Sequence, residues 1–393
     1  MSQPATALTA AQVFDGEALR AGQAVVMRGG FVAEVLPLVD LPPEIPLADL
    51  GAGILSPGFV DLQVNGGDGI MLNDDPSVVG LRRIALAHAR LGATSILPTL
   101  ISDTPDKTRA AIEAVERAVA EGVAGVAGLH LEGPHFALSR KGAHDPALIR
   151  AMNHDDLTLL LDTASRLPVL KLTFAPEAVT LAQLRTLADA GVILCIGHSD
   201  ASFAQCQAAM EAGATCVTHL FNAQSQLGSR EPGVVGGALA LGGLSAGLIA
   251  DGIHVHPATM KAALQAKTGP GRVFLVSDAM ATAGSDIEHF QLNGRRIERR
   301  DGRLTLEDGT LAGADLDIAT ALRVVVDDVG LPLVEALQMA TSVPASVAGL
   351  SHTAGRIANG RAADLVFLTK DLSLENVWHA GRILSPRRSL PVQ

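Results

Sequence analysis

Residues 128–135 read Gly-Leu-His-Leu-Glu-Gly-Pro-His. An alternating run, Val-Ala-Gly-Leu-His-Leu, carries Glu132 to its last position and stops at Gly133-Pro134. Glycine has no side chain to pack and proline no N–H to pair, so a strand ends there. The result is an acid at a strand tip, where a parallel sheet presents its functional groups. Alone, Glu132 reads first as a strand-end acid facing solvent. The rest of the chain argues otherwise, because it repeats the arrangement with metal-capable residues.

Seven further strand candidates surround 126–132: 59–65, 93–99, 169–175, 192–198, 215–219, 246–251 and 273–278. Segments 79–90, 105–121, 181–190 and 201–212 carry apolar residues at three- and four-residue spacing and read as helices. Strands alternating with helices imply a parallel sheet, and eight such units close into a (β/α)8 TIM-like barrel of the α/β class. One unit is irregular. Between 286 and 313 the turn dipeptides Asn293-Gly294, Asp301-Gly302 and Asp308-Gly309 predict a β-hairpin insertion before a last helix at 316–329.

Both chain ends look all-β. Short runs at 7–10, 24–27 and 31–35 are punctuated by Asp15-Gly16 and Gly29-Gly30, and runs at 363–368 and 376–380 mirror them. The expected organisation is residues 1–55 and 354–393 forming one small β-sandwich around a barrel at 56–353. Two unrelated terminal hairpins are the alternative.

The bulk numbers exclude several classes. The 393 residues are 48% hydrophobic and 18% charged, ample core material for a barrel-sized domain plus a lesser one. A net charge of −11 argues against generic binding to nucleic acid or anionic membranes, whose phosphates would repel it. Cys195, Cys206 and Cys216 show no CxxC spacing and read as reduced buried thiols. With no secretory signal pattern and no apolar stretch of membrane-spanning length, the expected compartment is the cytoplasm.

In a barrel all eight strand ends converge on one mouth. Here they carry Asp61, Gln63 and Asn65; Glu132; His198; His219; Asp251 with His254; and Asp278. Glu132, His198 and His219 offer one carboxylate and two imidazoles, a set suited to a catalytic divalent cation with an open position. Any one of the histidines alone would read as a satisfied core residue; the combination argues for one metal ion. Zinc suits the set, and iron, manganese or cobalt also fit. Asp278 stands where a carboxylate can take a proton from an attacking water; its bland reading is an N-cap for the following turn.

The motifs PGFVDLQVNG, GATSILPTL, GLHLEGPH with KGAHDP, IGHSDA, THLFNA with GSREPG, ADGIHVHP, VSDAMATAG, GTLAG and NGRAADLVFL span nearly the whole chain. Together they resemble the amidohydrolase superfamily and, within it, the amino-sugar-phosphate deacetylases. The resemblance implies a barrel with a β-sandwich, usually a homodimer, hydrolysing the acetamide of N-acetylglucosamine 6-phosphate to glucosamine 6-phosphate and acetate. It implies Glu132, His198 and His219 as metal ligands and Asp278 as general base and acid. By the same resemblance His144 polarises the carbonyl, and Asn222, the Ala223 backbone, Arg230 and His254 hold the sugar phosphate, with help from a neighbouring subunit. Arg230 suits phosphate through its planar fork.

Many amidohydrolases carry His-x-His at the first strand end, where a second metal binds. This chain has Gln63-x-Asn65. Amide oxygens are weaker ligands, so that position is expected to be weak or empty. His254-x-His256 sits on the seventh strand, and His256 reads as structural. Gln224 stands where many relatives have Met and is expected to alter the fit around the sugar. A related deaminase or cyclic-amide hydrolase should lack the GSREPG loop, and a non-enzymatic barrel should have lost a ligand or Asp278. Neither description suits this chain.

Overall fold

A computed structural model describes residues 4–385. The expected terminal segments run into residues 1–3 and 386–393, which lie outside the described residues. Eight parallel strands form the central sheet in chain order: Phe59–Val64, Ala93–Ile101, Leu129–Glu132, Leu170–Phe174, Ile193–Ile196, Cys216–Val217, Ser245–Leu248 and Val273–Leu275. A parallel bridge between Val64 and Ala279 joins the last strand to the first, closing the expected (β/α)8 barrel.

The strands read as near-continuous apolar runs because both faces are covered, the outer one by helices. Helix Pro105–Ala120 shows how. Thr104 caps it by accepting from Lys107 N–H, and Ala111, Ile112, Ala114, Val115 and Ala118 form the buried stripe against the sheet. Helix His154–Arg166 starts on a reciprocal capping box between Asn153 and Asp156.

The barrel interior below the mouth is polar yet paired. His130 lies 3.1 Å from Thr99 Oγ1 and 2.7 Å from Thr173 Oγ1, which in turn is 2.7 Å from Thr218 Oγ1. Lys171, fully buried, donates across the barrel to the Leu62 carbonyl at 3.2 Å. Buried polar groups cost little when so paired, and this plug forms a rigid floor for the strand ends above it.

Both termini build a second unit. Gly53–Pro57 pairs antiparallel with Leu365–Thr369 in a six-stranded sheet, while Ala5–Thr9 pairs with Gln23–Arg28 and Leu47–Asp49 in a four-stranded one. A separate core of Leu8, Val25, Leu55, Leu365, Phe367 and Trp378 draws on both ends of the chain.

Two details depart from expectation. The insertion is a three-stranded meander, His289–Leu292, Arg295–Arg300 and Arg303–Thr305, rather than one hairpin. Asn293-Gly294 and Asp301-Gly302 both have positive φ at each position, so each makes a tight turn and the chain reverses twice. The last barrel helix is Ile318–Asp327, shorter than 316–329, because Asp317 caps it through Thr320 N–H. Helices Leu333–Ala340 and Ser342–Val347 follow it.

Candidate metal centre and active site

The strand ends stop short of the residues that matter. His198 lies two positions beyond Ile193–Ile196, His219 two beyond Cys216–Val217, and Asp278 three beyond Val273–Leu275. All three adopt left-handed backbone, with φ of 49°, 27° and 50°. Such conformations cost on the order of 1–3 kcal/mol each in a non-glycine residue and cluster at functional sites. The kink leaves the strand ladder and carries each side chain into the mouth. Glu132 needs no kink, because it is the last residue of its strand.

Glu132, His198 and His219 converge. His219 Nε2 lies 3.1 Å from Glu132 Oε1, His198 Nε2 lies 3.4 Å from the same oxygen, and the two Nε2 atoms are 3.1 Å apart. A tetrahedral ion with bonds of about 2.0–2.2 Å has ligand atoms roughly 3.3–3.6 Å apart, so the triangle is nearly the size such an ion needs. The tautomer fits as well. His198 Nδ1 is 2.8 Å from the Arg140 carbonyl and donates its proton there, leaving the Nε2 lone pair inward. Phe136 stacks on the His198 ring at 4.2 Å and holds it edge-on to His144. Burial alone would raise the Glu132 pKa, but the His198 and His219 rings beside it outweigh that and hold the carboxyl well below its ordinary value.

Asp278 faces this triangle. Its Oδ1 accepts from Asn65 Nδ2 at 2.7 Å and from Gln63 Nε2 at 3.1 Å, and the Gln63 amide also donates to Glu132 Oε1 at 3.0 Å. The two first-strand amides therefore turn their N–H groups, rather than their oxygens, toward the carboxylates. Burial first, and the Glu132 charge second, push the Asp278 carboxyl up to about 6.

His144 stands on the other side of the triangle. Its Nδ1 accepts from Ser102 N–H at 3.3 Å and lies 2.9 Å from Ser102 Oγ. Burial and the neighbouring His198 push its pKa down to about 3, so the ring is neutral and carries its proton on Nε2. A neutral Nε2–H is a donor suited to a carbonyl oxygen.

A cavity of about 340 Å³ opens over these groups, lined by Asn65, Glu132, His144, His198, His219 and Asp278. Asn222, Ala223 and His254 line it too, the last with its ring oriented by a 2.6 Å bond from Nδ1 to Asp251 Oδ2. The insertion supplies one wall through Leu292, and its core packs on Met71, Ile101 and Met280 at the barrel rim.

Arg230 is not brought to this cavity. It is exposed and makes no ion pair or hydrogen bond among the described residues. The adjacent Glu231 is tied to helix Phe203–Glu211, its Oε1 accepting from Phe203 N–H and from Gly233 N–H. Gln224 does not line the cavity either: it is fully buried and donates to backbone carbonyls, so any effect on the fit around the sugar runs through the backbone it holds. His256 caps helix Pro257–Ala266, accepting from Ala258 N–H. His135, for which the sequence suggests no role, braces the Arg150 carbonyl at 3.2 Å.

Sequence reasoning passed over Ser102 and Phe136. Ser102 directly follows strand Ala93–Ile101, so the strand-end rule applied to the second strand would have found it. Phe136 carries no such signal.

Comparison with known proteins adds relatives. A family model described as "Amidohydrolase family" matches residues 54–384. The chain is 42% identical over 335 residues to an N-acetylgalactosamine-6-phosphate deacetylase of Shewanella sp. (strain ANA-3), covering 85% of this chain and 84% of that protein. It is 32% identical over 349 residues to the N-acetylglucosamine-6-phosphate deacetylase of Haemophilus influenzae, covering 88% and 90%. The crystal structure of N-acetylglucosamine-6-phosphate deacetylase from Pasteurella multocida superposes with a TM-score of 0.92 at 32% identity, over 97% of this chain and 99% of that one.

Proposed function

The chain belongs to the amidohydrolase family, and from that membership we propose that it hydrolyses the acetamide of N-acetylglucosamine 6-phosphate to glucosamine 6-phosphate and acetate. One observation carries the reading: Asp278 and His144 flank the Glu132–His198–His219 triangle inside a single cavity. A divalent cation held by those three side chains, most simply one zinc ion, supplies Lewis acidity toward water and carbonyl oxygen. Asp278 takes the proton of the attacking water. His144 donates its Nε2–H to the acetamide oxygen as negative charge builds there. Asp278 then returns the proton to the departing amine.

Asn222, the Ala223 N–H and His254 hold the sugar phosphate in this reading. Arg230 lies outside its own chain's cavity, so its part on the phosphate is played from the neighbouring copy of a homodimer. Gln63 and Asn65 occupy the second-metal position as amide donors, which supports one ion per subunit. Three buried free thiols, Cys195, Cys206 and Cys216, support a reducing, cytoplasmic setting. Among the described residues no helix is long and apolar enough to cross a membrane.

The 42% identity to an N-acetylgalactosamine-6-phosphate deacetylase favours a second reading, the C4 epimer of the same substrate. An acetate-release assay on both 6-phosphates and their unphosphorylated forms, paired with elemental analysis, decides between them. The epimer with the higher kcat/KM is the substrate. No preference for phosphorylated sugars would overturn both readings.

A further inference from the structure

The turn that follows the sixth barrel strand is unusual in its backbone. His219, Phe221 and Ala223, three non-glycine residues in five, have φ of 27°, 77° and 50°. Left-handed residues alternating with ordinary ones curl a chain so that successive N–H groups line a concave surface, a shape that receives anions. The Ala223 N–H has no partner among the described residues, and both Asn222 and Ala223 line the cavity.

Curling the chain this way crowds its carbonyls on the opposite side. Two glutamine side chains meet them. Gln224 Nε2 lies 3.3 Å from the Thr218 carbonyl, 3.0 Å from that of His219 and 3.2 Å from that of Asn222. Gln226 Nε2 donates to the Phe221 and Gln224 carbonyls, both at 2.8 Å. The amide orientation of Gln224 follows from this crowd, since its oxygen placed there would face three carbonyl oxygens. Gln224 is fully buried and does not line the cavity.

We propose that Gln224 and Gln226 are positioning residues for the substrate's phosphate. Their amides pin five carbonyls of the 218–224 turn and hold it in the conformation that leaves the Ala223 N–H unpaired at the cavity wall. The inference rests on the phosphorylated-sugar reading above. A buried apolar side chain of similar length would fill the space of Gln224 but release its carbonyls.

The test uses full-length enzyme and the variants Gln224→Met and Gln226→Met. It compares kcat/KM on N-acetylglucosamine 6-phosphate with kcat/KM on N-acetylglucosamine, at equal metal content. Gln224→Met should lower that ratio about tenfold, through a higher KM for the phosphorylated sugar alone, and Gln226→Met should lower it less. A merely structural role would depress both substrates together. A ratio within twofold of the wild type in both variants overturns the proposal, and if Gln224→Met does not fold, the Gln226→Met ratio decides. A wild type without preference for the phosphorylated sugar sinks the substrate reading instead.

Discussion

Asn65 Nδ2 donates to Asp278 Oδ1 at 2.7 Å, tying the end of the first barrel strand to the end of the last. The bond sets the direction in which the carboxylate faces the ligand triangle. Replacing Asn65 with Leu frees that carboxylate without removing a metal ligand. The expected result is a fall in kcat on the order of 10- to 100-fold at unchanged metal content, measured by steady-state assay and elemental analysis. Wild-type kcat in the variant would show that Asp278 needs no such anchor.

Asp278→Asn keeps the shape and the cavity but cannot take a proton. Turnover should drop by roughly 10²- to 10⁴-fold while the metal stays bound. A variant that hydrolyses the substrate at a near-normal rate would remove Asp278 from the mechanism.

Glu132→Gln tests the metal centre itself. Glu132 is the one carboxylate in a triangle whose other two corners are imidazoles. An amide oxygen in its place is a weaker ligand, so the purified variant should lose its metal. Chelator should lower the melting temperature of the wild type, because an ion that binds only the folded state stabilises it. It should leave that of the variant unmoved. Full occupancy in the variant would refute the site as drawn.

The pH profile reports on Asp278. Burial and the Glu132 charge raise its carboxyl to about 6, and a cation bound beside it draws that value down. The base works only when ionised. kcat/KM should therefore fall on the acid side with a midpoint at or below 6. A midpoint clearly above 6 would assign the limb to another group.

His379 joins the terminal sheet to itself through Asp364, with Nδ1 2.9 Å from Oδ1. Burial alone would lower the His379 pKa, but the Asp364 carboxylate outweighs it and the folded-state value lies above the ordinary one. A raised histidine contributes stability that is complete below its unfolded pKa and is lost as pH rises through the folded one. That share should be modest for a partly exposed pair, about 0.5–1 kcal/mol. Thermal melts from pH 5 to 9 should show Asp364→Asn less stable at the acid end and converging with wild type at the alkaline end. Equal offsets at both ends would exclude the pair as the cause.

Much of this architecture is legible along the chain. Gly133-Pro134 marks the end of a strand whatever surrounds it, because the missing side chain and missing N–H are local facts. The same holds for the turn dipeptides of the insertion, although the first two of them produced a three-stranded meander where one hairpin was expected. Gln224 illustrates the limit. Its place in a substrate loop suggested an effect on the fit around the sugar, but not that its amide turns inward to carbonyls that only the left-handed turn brings together. Arg230 is the same lesson in reverse: a phosphate-suited side chain is exposed and lies outside its own chain's cavity.

By itself the sequence determined the period of the elements, the order of the barrel strands and the identity of the groups at their tips, since each depends on neighbours a few positions apart. Tertiary structure decided which atoms meet. Gln63 and Asp278 are 215 positions apart, and nothing in either local stretch specifies that one amide bridges that carboxylate and Glu132. Barrel closure brings the first and last strands side by side, and three left-handed kinks then turn the side chains inward. Periodicity is a property of adjacent residues; a metal triangle is a property of strands that meet only in the folded sheet.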